Sequence, residues 1–128
     1  MTVRTIDIED AVASALLAAG FDAGAPPVPK DLSAGRVQVT RTGGERHAMV
    51  IDDHRVDLDC WAESDAAAME LADLLTDAVY ALEGTDLLGV PCYSSAVTTL
   101  PYGNPDPRHP TLCRATLKAR VTTRVSHT

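Results

Sequence analysis

The stretch from Arg36 to Glu83 leaves this chain few folds to choose from. It reads as a period-two strand, a Gly43-Gly44 pair, an acidic run closing on the sole tryptophan (Asp57-Leu58-Asp59-Cys60-Trp61-Ala62), and then an alanine-rich helix. In the first strand, Arg36 to Thr42, Val37 and Val39 fall on one side and Gln38 and Thr40 on the other. Gly43-Gly44 predicts a hairpin turn, and the return leg covers Arg46 to Trp61. Because that leg exceeds the usual strand of about five or six residues, a bulge or bend is expected near Asp52-Asp53. Val56, Leu58 and Cys60 share its core side, whereas Asp57, Asp59 and Trp61 share the other. Ser64 or Asp65 caps the following helix, in which Ala68, Leu71, Leu75, Val79 and Leu82 recur at helical spacing before Gly84 ends it.

The flanks complete an α+β pattern. A first helix is predicted with Thr5 as N-cap and Asp7 and Glu9 near the positive end of its dipole. Its apolar line is Ile8, Val12 and Leu16, and Gly20-Phe21 forms a left-handed stop whose phenylalanine reaches back towards Leu16. Ala25-Pro26-Pro27-Val28-Pro29 is a stiff, extended spacer. A third strand lies near Pro91 to Thr99, followed by a proline-rich loop from Pro101 to Pro110. The last strand, Thr111 to Arg124, has the cleanest alternation: Cys113, Ala115, Leu117, Ala119 and Val121 inward, Arg114, Thr116, Lys118, Arg120, Thr122 and Arg124 outward. At ~3.3 Å per residue it is long for a domain of this size, so part of it is expected to project or to pair outside the monomer. The sum is one domain over residues 1–128: an antiparallel or mixed four-stranded sheet packed by two helices, with a long projecting hairpin loop.

Composition narrows the function. A chain of 128 residues builds a modest single core without a metal or disulfide. The three cysteines are odd in number and contain no C-x-x-C pair, which fits reduced thiols in a cytosolic setting. No window approaches the ~20 apolar residues of a membrane span, and Asp7, Glu9 and Asp10 follow Arg4 too closely for a secretion signal. A net charge of −7 argues against a protein that wraps nucleic acid by itself. The charge is polarised, however: acidic residues crowd Asp52 to Asp77, and Arg108, Arg114, Lys118, Arg120 and Arg124 make the C-terminal segment basic.

Catalytic patterns are weak. Asp52, Asp53, His54, Asp57 and Asp59 are the oxygen and nitrogen donors that divalent ions accept, so a small metal-dependent enzyme built on Asp52 to Asp59 is the rival of a different class. Read as a calcium loop from Asp53, however, the third position is Arg55, the sixth is not glycine and the twelfth is Ser64. A salt-bridged strand face is the simpler expectation. Cys60 and Cys113 lie on apolar strand sides as packing residues. His47, His54, His109 and His127 form no H-E-x-x-H pair, and Gly43-Gly44 opens a strand rather than a phosphate-binding helix. No catalytic residue, metal or cofactor is expected.

Surface chemistry says more. Arg114, Lys118, Arg120 and Arg124 repel one another unless something negative lies opposite. Asp57 and Asp59 can supply it from a neighbouring strand or from another copy of the chain, and passing DNA can supply it as phosphate.

The order of helix, proline spacer, strand with Arg41-Thr42-Gly43-Gly44, acidic strand ending Val56-Asp57-Leu58-Asp59-Cys60-Trp61-Ala62, and alanine-rich helix resembles the tail terminator (tail completion) proteins of long-tailed bacteriophages and prophages. The Pro101-to-Pro110 loop feeding a strand with Arg114, Lys118 and Arg120 is similar to their closing hairpin. The resemblance covers nearly the whole chain as a pattern of short signals. It implies a small α+β subunit assembling as a hexameric ring on the last disc of the tail tube, in the virion, after assembly in the host cytoplasm. Such a ring stops tube growth and presents a surface to the neck proteins of the head. The implied partners are further copies of the chain, the tail tube protein, head-tail connector proteins and genomic DNA held non-specifically in the channel, with no membrane. A head-tail connector or stopper is the alternative within the same class. The loop, with Tyr102, Asn104, Asp106 and Arg108, is expected to reach an adjacent subunit or the tube, because its prolines lower the entropy lost on ordering.

Overall fold

The first helix is capped by Asp7, not by the expected Thr5. The Asp7 carboxylate accepts the Asp10 amide at 3.1 Å and α1 runs Ile8–Ala18, while Thr5 donates its hydroxyl to Asp52 at 2.7 Å. Ile8, Val12 and Leu16 are buried as expected. At the far end Gly20 takes φ 100°, its amide donates to the Leu17 carbonyl, and the Phe21 amide donates to that of Leu16, both at 3.0 Å. That pair of hydrogen bonds is the Schellman arrangement, and it turns the chain sharply.

The computed structural model describes residues 3–127. The strands are β1 (Val3–Arg4), β2 (Asp22–Gly24), β3 (Arg36–His47), β4 (Ile51–Ala62), β5 (Asp86–Leu87), β6 (Val90–Gly103), β7 (Cys113–Arg124) and β8 (Ser126–His127), and the second helix, α2, spans Asp65–Ala81. One mixed sheet has the order β2-β3-β4-β7-β6-β5, and β1 pairs β8 separately. Only β2 and β3 pair in parallel within that sheet. The chain is thus α+β with two helices, but its main sheet has six strands in place of the four expected. The added edge strands β2 and β5 are three and two residues long, too short to display a period.

Both helices cover one face. α1 lies on β2 and β3, and α2 lies on β4, β7 and β6. Val37, Val39, Val56, Leu58, Ala115, Leu117, Ala119 and Val121 meet Ala68, Ala72, Leu75 and Val79 in a single core. Alanines on both β7 and α2 let helix and sheet approach closely. Ser64 caps α2 by accepting the Ala67 amide at 3.1 Å.

The β3–β4 hairpin turns later than the glycine pair predicts. Its turn is His47 to Val50, with the Val50 amide donating to the His47 carbonyl at 3.2 Å and Ala48 and Met49 at φ 52° and 61°. Two successive positive φ angles match the twist that a two-residue hairpin requires. Gly43 and Gly44 instead sit inside β3, where the register skips between Arg41 and Gly43. A Cβ on Gly44 would collide with the Asp53 carbonyl oxygen, so this bulge needs glycine for close approach. The bend expected at Asp52-Asp53 is therefore on the partner strand, and β4 pairs β7 continuously from Ile51 to Ala62.

Two further expectations are corrected here. β7 does not project or pair outside the monomer: it is paired to β4 throughout and to β6 from Ala115 to Thr123. The long loop does not project either. Pro101, Tyr102 and Gly103 extend β6, and the connector 104–112 folds back with Asp106 only 9% exposed. No described helix is long and apolar enough to cross a membrane.

Candidate functional site

The face of the sheet opposite the helices is polar, and strand alternation decides which residues stand on it. Along β4 these are Asp53, Arg55, Asp57, Asp59 and Trp61, and the β7 register places Thr122, Arg120, Lys118, Thr116 and Arg114 directly opposite them. Asp57 accepts from Lys118 Nζ at 3.1 and 3.2 Å. Asp59 and Asp53 accept the hydroxyls of Thr116 and Thr122, each at 2.5 Å. Of the two protein sources of negative charge that the sequence leaves open for the basic strand, the neighbouring strand thus serves Lys118. Its hydrogen bond to Asp57 raises the Lys118 pKa.

Arg55 and Arg120 break the matching. They are directly opposed, neither forms an ion pair among the described residues, and Arg120 Nε is buried without a partner. Arg124 is exposed at the strand end. Arg114 turns to the connector, donating from Nε to the Asn104 carbonyl at 2.7 Å and from Nη2 to that of Pro105 at 3.2 Å.

The residues expected on a docking loop divide in two. Tyr102 and Arg108 are exposed, but Asn104 and Asp106 point down onto the sheet. Asn104 donates to Thr116 Oγ1 at 3.1 Å. Asp106 accepts from Trp61 Nε1 at 3.1 Å, from the Arg108 amide at 3.1 Å and from His109 Nδ1 at 2.8 Å. Burial pushes the Asp106 carboxyl up, but these donors and the nearby Arg114 outweigh it and hold it below the usual range. Between this connector and the proline spacer lies a cleft of about 570 Å³, floored by Gln38, Thr40, Asp59 and Trp61 and edged by Val28, Pro29, Lys30, Pro107 and Arg108. Burial pushes the Asp59 carboxyl up, against the opposing hydrogen bond from Thr116.

The acidic run does not converge. Alternation sends Asp52 and His54 to the helix side, away from Asp53, Asp57 and Asp59. Arg46 holds Asp52 through two hydrogen bonds of 2.6 and 3.0 Å, and this pairing lowers the carboxyl pKa. The Thr122 hydroxyl does the same for Asp53, helped by His47. His54 is buried with Nε2 2.9 Å from Thr123 Oγ1. Thr123 donates its own proton to the Arg124 carbonyl, which assigns the histidine proton to Nε2 and leaves Nδ1 unpartnered. Burial lowers the His54 pKa. Among the described residues no three His, Cys, Asp or Glu side chains gather as metal ligands. The Cys60 thiol, pushed by burial up to about 12, is unsuited to nucleophilic work.

Sequence reasoning passed over Arg55 and Gln38. The alternation that separates Asp57 from Leu58 already puts Arg55 on the outer face, but the opposition to Arg120 requires the register. The chain matches no protein-family model, and no curated protein is significantly similar to it.

Proposed function

We propose that the chain is a structural virion subunit that forms a ring on the head-proximal end of a phage tail tube, ends tube growth and offers the joining surface for the head. The resemblance to tail terminator proteins supports this reading, as does the α+β build with two helices. The observation that carries it is the unmatched Arg55–Arg120 row on a sheet face left bare of helices. A face of fixed, largely pre-paired charges has little use for turnover and suits docking.

A ring requires two different, complementary surfaces on each subunit. The outward side of α2 supplies the second: Glu70, Asp73 and Asp77 are exposed around Leu74 and form no ion pair among the described residues. Because α2 packs on the opposite face of the sheet from Arg55 and Arg120, acidic and basic surfaces lie on opposite sides of one subunit. Head-to-tail contact between copies brings them together.

Native mass spectrometry of the protein, alone and with purified tail tubes, tests the reading: a closed ring, six copies by the resemblance, is expected, with density at one tube end in micrographs. Particles lacking the protein anywhere along the portal-to-tube axis would sink it. Reversing Arg55 and Arg120 to Glu should abolish the ring, as should reversing Glu70, Asp73 and Asp77 to Lys, and combining the two sets should restore it. Should Arg120 and Arg124 instead line the DNA channel, reversal would leave the ring intact and remove salt-sensitive DNA binding.

A further inference from the structure

The turn between β3 and β4 carries two features that a hairpin tip ordinarily avoids. Ala48 and Met49 both take positive φ, at 52° and 61°, a region that residues other than glycine enter rarely and under strain. Asn-Gly is the pair that such a turn favours. Met49 is also 76% exposed, the most exposed large hydrophobic side chain among the described residues, and Val50 beside it is exposed as well. Strain and bare apolar surface at one tip both cost the free subunit stability, and burying Met49 against another surface offsets that cost.

The charges around the tip are mostly matched. Arg46 pairs with Asp52, and His47 Nε2 lies 2.7 Å from Asp53 and 3.9 Å from Glu45. Arg124, opposite Ile51 in the β4–β7 ladder, is exposed and in no ion pair among the described residues. The residue after it ties β7 to the tip, because the Val125 amide donates to the Val50 carbonyl at 2.9 Å. The tip is therefore an apolar knob with an unmatched cation beside it. Its complement lies on the outward side of α2, where Ala67, Leu71 and Leu74 line a recess of about 410 Å³ rimmed by Glu70, Asp73 and Asp77. Leu74 is 57% exposed, and with Met49 exposed as it is, the recess is not filled by the tip of its own subunit.

We propose that the hairpin tip of one copy seats Met49 in the α2 recess of the next, with Arg124 against the acidic rim. The proposal rests on the ring reading, in which α2 is the face a neighbouring copy meets, and it supplies the apolar anchor of that contact. Methionine, unbranched and flexible, adapts to an irregular recess and is enriched at interfaces. Knob and recess are different surfaces of one subunit, so the contact is heterologous and passes from copy to copy.

Combining Ala48→Asn with Met49→Gly separates fold from assembly. The new pair suits positive φ, so the free subunit should fold and melt about 3 °C higher. Self-association by sedimentation should nevertheless weaken about tenfold or more, as a buried methionine is lost from the contact. Leu74→Asp, at an exposed position, should weaken it similarly. The contact itself is read from the methyl NMR signals of the three methionines, with Met49→Leu assigning the one that matters. The Met49 signal should move as the wild-type protein is concentrated and stay still in Leu74→Asp. Assembly left intact by the double variant would overturn the anchor and leave the ring reading standing, whereas a wild-type chain that never self-associates, alone or on tube ends, would remove both. Assembly weakened by the double variant but untouched by Leu74→Asp would seat the tip on some other surface and overturn the proposal as well.

Discussion

Arg55 and Arg120 face each other across the β4–β7 ladder, whereas the neighbouring Asp53, Asp57 and Asp59 meet Thr122, Lys118 and Thr116. Directly opposed like charges destabilise a sheet by about 0.2–1 kcal/mol. Arg55→Thr removes the repulsion and keeps a side chain that suits a strand. The free subunit should therefore gain a few tenths of a kcal/mol, on the order of the lower end of that range, in urea unfolding. The same variant should assemble less well by native mass spectrometry. A loss of stability would mean that the pair is held by some group other than the two arginines.

His54 predicts the pH response. Burial lowers its pKa from 6.5 in the fold, so the unfolded chain binds the proton first as pH falls. The stability it contributes is complete above 6.5 and is lost as pH drops through that value towards the depressed folded one. The lowered carboxyls of Asp52, Asp53 and Asp106 act below 3.8. Asp59, raised above 3.8, has the opposite sign and gains stability on acidification. Melting temperature should accordingly decline between about pH 7 and 5, at about 1.4 kcal/mol for each unit of pKa difference. His54→Phe should flatten that slope, and an unaltered decline would assign it elsewhere.

The two glycines of β3 should respond unequally to alanine. Gly43 has φ 125° with open space where a Cβ would stand, so Gly43→Ala meets backbone strain alone. Gly44 has φ 142° and an Asp53 carbonyl in the way. Gly44→Ala should cost about 2 kcal/mol or more, the larger of the two losses, since strain and a backbone clash combine. Paired thermal melts decide the order, and equal losses would remove the close approach as the reason for glycine there.

What the sequence disclosed followed from periodicity. Ile8, Val12 and Leu16 on α1, Ala68, Leu75 and Val79 on α2, and the alternation of β7 each repeat often enough to declare a buried side. Strands of two or three residues, such as β2 and β5, do not repeat the two-residue alternation often enough to stand out from a loop. The turn lies later than the sequence predicts because Gly43-Gly44 is the stronger local signal, and nothing in Ala48-Met49 announces positive φ. Long-range pairing was out of reach for a different reason. Lys118 and Asp57 are 61 residues apart and Trp61 and Asp106 are 45 apart, so charge and polarity were visible but register was not. That is why a loop rich in proline reads as projecting when it is in fact fastened down.

The fastening rests on Asp106 and Trp61. The indole is buried on the outer face of β4, and among the described residues its N–H finds its acceptor only in Asp106, which also holds His109 and the Arg108 amide. Asp106→Ala leaves these donors unpartnered, and a buried donor left so costs about 1–3 kcal/mol. The helices lie on the other face and should keep their far-ultraviolet signal. Trp61 is the sole tryptophan, so its emission reports the connector directly and should shift to the red as water reaches the indole. Asp106→Asn retains one oxygen acceptor for Trp61 and should shift it less. Unchanged emission in Asp106→Ala would show that packing alone holds the connector over the sheet.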